Sequence, residues 1–274
     1  MAQQAVPMVF VVENAREPRD EAADAIYEQP LNERMRTFLR LEFLYHQTEH
    51  HVAHESQIDT REAITGMLEI AAILGRGDVR SDVLKELERQ IGELEGFAAN
   101  PNVDRTRVDG LLTELRASRE ALNAIGPHYL QTVKDSEFLS AIKHRSAIPG
   151  GTCEFDLPLF SHWLRQPYEA RLQHLDLWLG SLRPLCDAVQ QVMWLIRQSA
   201  TTVEYTAQAG MYQHSISRET SCRMLRVRLA GGTGLFPEIS GSPQRFTIRF
   251  LSWNNVDARP AQTSQDVSFQ LSIC

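Results

Sequence analysis

The chain has 274 residues, 43% of them hydrophobic and 23% charged, with a formal net charge of -7; this is globular composition and excludes disorder as the dominant state. A net negative chain is a poor general ligand for DNA or RNA, because neutralising phosphates requires a dominant basic surface. No stretch approaches the ~20 apolar residues of a membrane-spanning helix, and the run at 6–12 also lacks the preceding positive charge of a secretion signal. The four cysteines, Cys153, Cys186, Cys222 and Cys274, show no CxxC pairing. That pattern fits free thiols in a reducing compartment better than a disulfide framework or a zinc site, and predicts a cytoplasmic protein. Charge is unevenly spread: residues 201–274 carry seven arginines against five carboxylates, whereas residues 1–200 carry 21 basic against 30 acidic side chains.

Residues 1–25 mix Ala, Gln, Glu, Asp and Arg without a sustained period and read as a flexible extension. A short strand is expected near 26–29. After Pro30, the spacing of Met35, Phe38, Leu39, Glu42 and Tyr45 predicts a helix capped by Asn32, with Arg36 and Arg40 one turn apart on another face. A second helix is expected from Asp59, with Glu62 in capping-box spacing, through Ile64, Met67 and Leu68 to the turn Gly75-Arg76-Gly77-Asp78, whose glycines favour a tight reversal. A third runs from Ser81 through Leu84, Leu87, Ile91 and Leu94. A fourth follows the Asn100-Pro101 break, with Val108, Leu111, Leu112, Leu115 and Leu122 before Gly126-Pro127, and the two are expected to lie antiparallel.

A short helix follows Asp135, an isolated strand is expected at 152–156, and three more helices follow. Two of these are expected to open at Pro167 and Pro184, where a missing N–H costs nothing. Their apolar faces include Trp163, Leu175, Trp178, Leu179, Val189, Met193 and Ile196. Beyond Ser199 the period changes to two. Leu225, Val227 and Leu229 alternate with Arg226 and Arg228, and Phe246, Ile248 and Phe250 alternate with Arg245, Thr247 and Arg249. Turns are expected at Gly231-Gly232 and Gly241-Ser242, and a last strand carries Val267, Phe269, Leu271 and Ile273. The expected fold is α+β: a flexible segment at 1–25, a mainly helical domain of about eight helices at 26–200 and an antiparallel β-rich domain at 201–274.

Candidate chemistry is sparse. His46, His50 and His54 recur at helical spacing, the pattern a metal site would use, so a metal-dependent enzyme built on them is the alternative reading. HHVAHE nevertheless lacks the correctly placed general-base glutamate of a zincin, and a solvated histidine-rich helix end is the simpler expectation. The GGTG at 231–234 is not followed by Lys-Ser/Thr and does not open a helix, so a hairpin loop is expected instead of a phosphate cradle. Asp82 and Glu86 are expected on a solvated helix face with Lys85 and Arg89. No cofactor, metal site or catalytic set is assigned, and the chain is read as a non-enzyme. The arginines stand out: Arg245 and Arg249 project from one side of a strand, Arg226 and Arg228 from one side of another, and neighbouring strands would combine them into a basic face.

Five segments, PLNERMRTFLRLEFL, LGRGDVRSDVLKEL, SAIPGGTCEFDLP, LWLIRQSA and FPEISGSPQRFTIRF, occur in an order that resembles the ZapD family of Z-ring-associated cell division proteins, over roughly residues 27–274. The resemblance implies a cytoplasmic homodimer, recruited to the division site at mid-cell, that binds the C-terminal tail of the tubulin-like protein FtsZ. It would bundle FtsZ filaments, with neither nucleic acid nor direct membrane insertion involved. It further implies tail-binding roles for Arg76 in the GRGDVR turn and for Arg245 and Arg249 in RFTIRF, and a role in bundling for Arg40 in MRTFLR. The stretches at 46–54 and 208–220 depart from the family pattern, and Glu137 stands where some relatives carry a basic residue.

Overall fold

The computed structural model describes residues 24–98, 103–217, 222–242 and 244–274. Most of the expected N-terminal extension and the Asn100-Pro101 break lie outside them. The chain divides into a helical unit, Pro30–Ala200 together with Cys274, and a β unit that joins the segment ending at Gln29 to Thr201–Ile273.

The helical unit contains α1 (Glu33–Val52), α2 (Gln57–Leu74), α3 (Val79–Ala98), α4 (Arg105–Ile125), α5 (Gln131–Lys134), α6 (Glu137–Ser146), α7 (Pro158–Leu164) and α8 (Tyr168–Ser199). Asn32 caps α1 as its sequence position suggests, accepting from the Met35 amide at 2.9 Å. The cap of α2 is Ser56, not Asp59. Its hydroxyl accepts the Asp59 amide at 3.0 Å and donates to the Asp59 carboxylate at 2.5 Å, so Asp59 is the third residue of a box that begins three residues earlier than expected. The α3–α4 hairpin is antiparallel: Arg80 at the start of α3 donates to the Leu122 carbonyl near the end of α4 at 2.8 Å, and Arg116 pairs with Glu95 at 2.7 Å.

α8 is the organising helix, and α1 to α5 all pack on it. It is one continuous helix of 32 residues with Pro184 inside, so the three helices expected after 156 are two. An internal proline removes one ladder bond and costs about 3 kcal/mol. Here Leu179, Leu182, Leu185, Cys186, Ala188 and Val189 are buried around it, and each fully buried large apolar side chain returns about 1.5–3 kcal/mol. Packing therefore carries the helix through a residue that local preference would use as a start. Residues 152–156 form turns instead of the expected strand, within a run of short-range bonds such as Gly151 N to Ile148 O and Leu157 N to Cys153 O. None of the four cysteines, all among the described residues, is in a disulfide. Among the described residues, no helix is long and apolar enough to cross a membrane.

The β unit contains β1 (Ala25–Pro30), β2 (Thr202–Ala207), β3 (Met211–Ser215), β4 (Met224–Leu229), β5 (Leu235–Ser242), β6 (Arg245–Ser252), β7 (Ala261–Gln262) and β8 (Val267–Ile273). One sheet has the order β1-β4-β8-β2; the other runs β3-β6-β5, with β7 also on β6. The short strand expected at 26–29 thus belongs with the C-terminal strands. Leu225, Val227, Phe269 and Leu271 from the first sheet, and Phe246, Ile248 and Phe250 from the second, are buried. Their inner faces meet where the Phe250 and Phe269 rings approach to 5.0 Å and Tyr212 stands edge-on to Phe269 at 5.3 Å. Burial pushes the Tyr212 hydroxyl up to about 12, with Tyr205 beside it adding to the shift.

Two connections differ from expectation. The GGTG at 231–234 is not a hairpin: it carries the chain from β4 in one sheet to β5 in the other, with positive φ at Gly232 and Gly234. Gly241-Ser242 belongs to β5, and the hairpin closes one step later, where Ser242 pairs with Arg245. Between β2 and β3 the chain turns through Ala209 and Gly210, both at positive φ. At Gly210 a β-carbon would come within 2.5 Å of the Thr263 carbonyl, so no larger residue fits.

Candidate binding face

On β6 the alternation sends Phe246, Ile248 and Phe250 inward and Arg245, Thr247 and Arg249 outward. Cross-strand register then fixes their neighbours. Arg245 lies between Ser215 and Ser242, Thr247 between Gln213 and Ser240, and Arg249 between Met211 and Glu238. The two arginines, four residues apart on the central strand, stand about 13 Å apart along it. Arg245 is exposed and donates to the Gln213 side chain at 3.4 Å. Arg249 pairs with the Glu238 carboxylate across the strands, and each side chain of the pair is 50% exposed. The result is a flat, polar shelf bounded by two guanidinium groups, one without a carboxylate partner among the described residues and one held by a solvated glutamate. Planar forks of this kind suit bidentate recognition of carboxylates.

Arg226 and Arg228 do not extend this face. They project outward from β4, whose neighbours are β1 and β8, so they lie on the other sheet and the two arginine pairs form no common strand-to-strand surface. Arg226 Nε is also 2.8 Å from Glu28 on β1, with only 24% of its side chain exposed. Arg228, opposite Gln270, remains exposed.

In the helical unit, Arg76 is exposed in the turn between α2 and α3, and Arg40 is exposed on α1. The turn owes its shape to caps more than to its glycines. Gly75 ends α2 in right-handed geometry, with its amide donating to Ala71 O and the Arg76 amide donating to Ile73 O, and neither Gly75 nor Gly77 has positive φ. Asp78 accepts from both the amide and the hydroxyl of Ser81 at 3.1 and 2.5 Å, and these bonds hold its carboxyl below the usual range. Arg76 is therefore displayed between two anchored helix ends.

At the C-terminal end of α1 the His50 ring lies against those of His51 and His54, with centroids 5.3 and 4.4 Å apart, while His46 contacts Gln190 at 3.4 Å, His51 bonds the Asp59 carboxylate at 2.8 Å and His54 bonds the His50 carbonyl at 2.6 Å. Among the described residues, no group of three or more His, Cys, Asp or Glu side chains is arranged to hold a metal. Glu86, expected on a solvated surface, is buried instead, pairing with Arg89 and lying 3.8 Å from Arg34 of α1. Sequence reasoning also missed Glu238 and Met211 as neighbours of Arg249. Their strands carried no strong alternation, and only the register to β6 brings them there.

The helical unit and the two-sheet β unit define an α+β protein whose outer β6 face carries exposed arginines. The sequence model of one family, described as a cell division protein, matches residues 39–249. Proteins named cell division protein ZapD share 36% identity with the chain in Methylococcus capsulatus, covering 91% of this chain and 97% of that protein. In a Janthinobacterium species they share 39% identity over 91% and 98%, and in Yersinia pseudotuberculosis 37% over 93% and 99%. The chain belongs to the ZapD family of cell division proteins.

Proposed function

We propose that the protein is a non-catalytic adaptor that binds the C-terminal tail of FtsZ and, as a homodimer in the cytoplasm, crosslinks FtsZ filaments at the division site. The observation that carries this reading is the outer face of β6, where Arg245 and Arg249 stand exposed on the strand between β3 and β5. A carboxylate-bearing tail would meet Arg245 directly and compete with Glu238 for Arg249, so charge sets orientation and encounter rate. A two-fold dimer presents two such faces, and simultaneous engagement of two filaments converts modest single-site affinity into avidity. Arg76 and Arg40 serve as additional basic contacts from the helical unit.

Sedimentation of polymerised FtsZ tests this. The protein should co-pellet with filaments and shift them to low-speed pellets as bundles, and FtsZ lacking its C-terminal tail should support neither. Bundling of tail-less filaments at wild-type levels would refute the reading.

A further inference from the structure

The shelf on β6 has two unlike ends. Around Arg245 its neighbours are Ser215 and Ser242, small and polar. Beyond Arg249 the outward residues become apolar: Met211 lies directly across from Arg249, and the next outward residue of β6, Leu251, lies across from Phe236. Met211 is 44% exposed, and Leu251 and Phe236 are partly exposed. Gln262 of β7 sits on the other side of Leu251 and donates to the Ala209 carbonyl at 2.9 Å, closing the apolar end. Single exposed apolar residues are ordinary on a protein surface. Three from three adjacent strands, contiguous with a guanidinium, form a patch suited to an occupant that carries both a large apolar group and a negative charge. The unbranched thioether of Met211 can adjust to such a group.

Building on the FtsZ-tail reading above, we infer that Met211, Leu251 and Phe236 form an apolar subsite that takes a large side chain of the tail, while Arg245 takes a carboxylate at the opposite end. The bound segment then has a fixed direction along β6. Charge contributes orientation and salt sensitivity, and burial at the Met211 end contributes a share of affinity that salt does not screen.

The test is fluorescence anisotropy with a labelled synthetic peptide of the FtsZ C-terminal tail, titrated over a salt series with wild type, Met211→Ser, Met211→Leu and Arg245→Gln. Met211→Ser should weaken binding about 5- to 20-fold at every salt concentration without changing the salt slope, the loss expected for removing a buried apolar contact. Met211→Leu should retain most of the affinity, and Arg245→Gln should flatten the slope. Serine scanning of the peptide's large apolar positions should find one whose loss on wild type is not added to on Met211→Ser, the sign of a direct contact. This readout compares peptides on one folded protein. If the peptide binds wild type but no position couples to Met211, the subsite is wrong and the adaptor reading stands. If the peptide does not bind wild type at all, both fall.

Discussion

Arg197 in the helical unit and Arg249 in the β unit are each bonded to a glutamate, yet the two pairs do different work. Arg197 on α8 meets Glu42 on α1 fork to fork, both nitrogen–oxygen distances being 2.6 Å, with only 20% and 11% of the side chains exposed. Arg249 meets Glu238 through one nitrogen on an open sheet face with half of each side chain in solvent. A bidentate pair withdrawn from water is costly to break because it strands a charge, whereas an exposed single contact is worth ~0–1 kcal/mol and exchanges readily. The first locks two helices together; the second leaves a cation available to another carboxylate.

The comparison breaks most visibly if the exposed arginines are reversed in charge. Arg245→Glu with Arg249→Glu should abolish pelleting of FtsZ bundles, while circular dichroism and sedimentation velocity remain those of wild type. On the buried side, Glu42→Ala should remove the bidentate partner of Arg197 and destabilise the helical unit by about 3 kcal/mol, seen as a lower urea midpoint with tail-peptide affinity per folded molecule unchanged. Glu238→Gln sharpens the contrast further. Removing the internal competitor should tighten tail-peptide binding about two- to fivefold, the equivalent of an exposed ion pair, with little change in melting temperature.

The smallest effect concerns the turn that displays Arg76. Bonds from Ser81 depress the folded-state value of Asp78, so the carboxylate contributes stability that is full above its unfolded value of about 3.9 and is lost as pH falls through the folded value. In thermal melts, wild type should therefore exceed Asp78→Asn at pH 7, and the gap should close under acid. A gap that grows as pH falls would contradict the assignment.

Much of this was readable from sequence where one local period governs the outcome. The inward and outward sets of β6, the Asn32 cap and the α3–α4 hairpin follow from spacing alone. Failures cluster where a distant partner decides. Pro184 reads as a helix start, but burial of Leu182, Leu185 and Val189 carries α8 through it. The short strand expected near 26–29 reads as part of the 26–200 helical domain, but the partner of β1 is β4, roughly two hundred residues away in sequence. Arg226 and Arg228 alternate as cleanly as Arg245 and Arg249, and only sheet order separates the two pairs. Glu238 and Met211 were invisible for the same reason, since their importance lies in register. The resemblance to a family singled out Arg245 and Arg249; the strand order supplied their company.

The most direct test of the central claim is fluorescence anisotropy of the labelled FtsZ tail peptide with wild type and the Arg245→Glu, Arg249→Glu double variant, at low and moderate salt. Saturable binding to wild type that weakens with salt, and none to the equally folded double variant, is the predicted result. Equal binding by both proteins would show that the outer face of β6 is not where the tail is held.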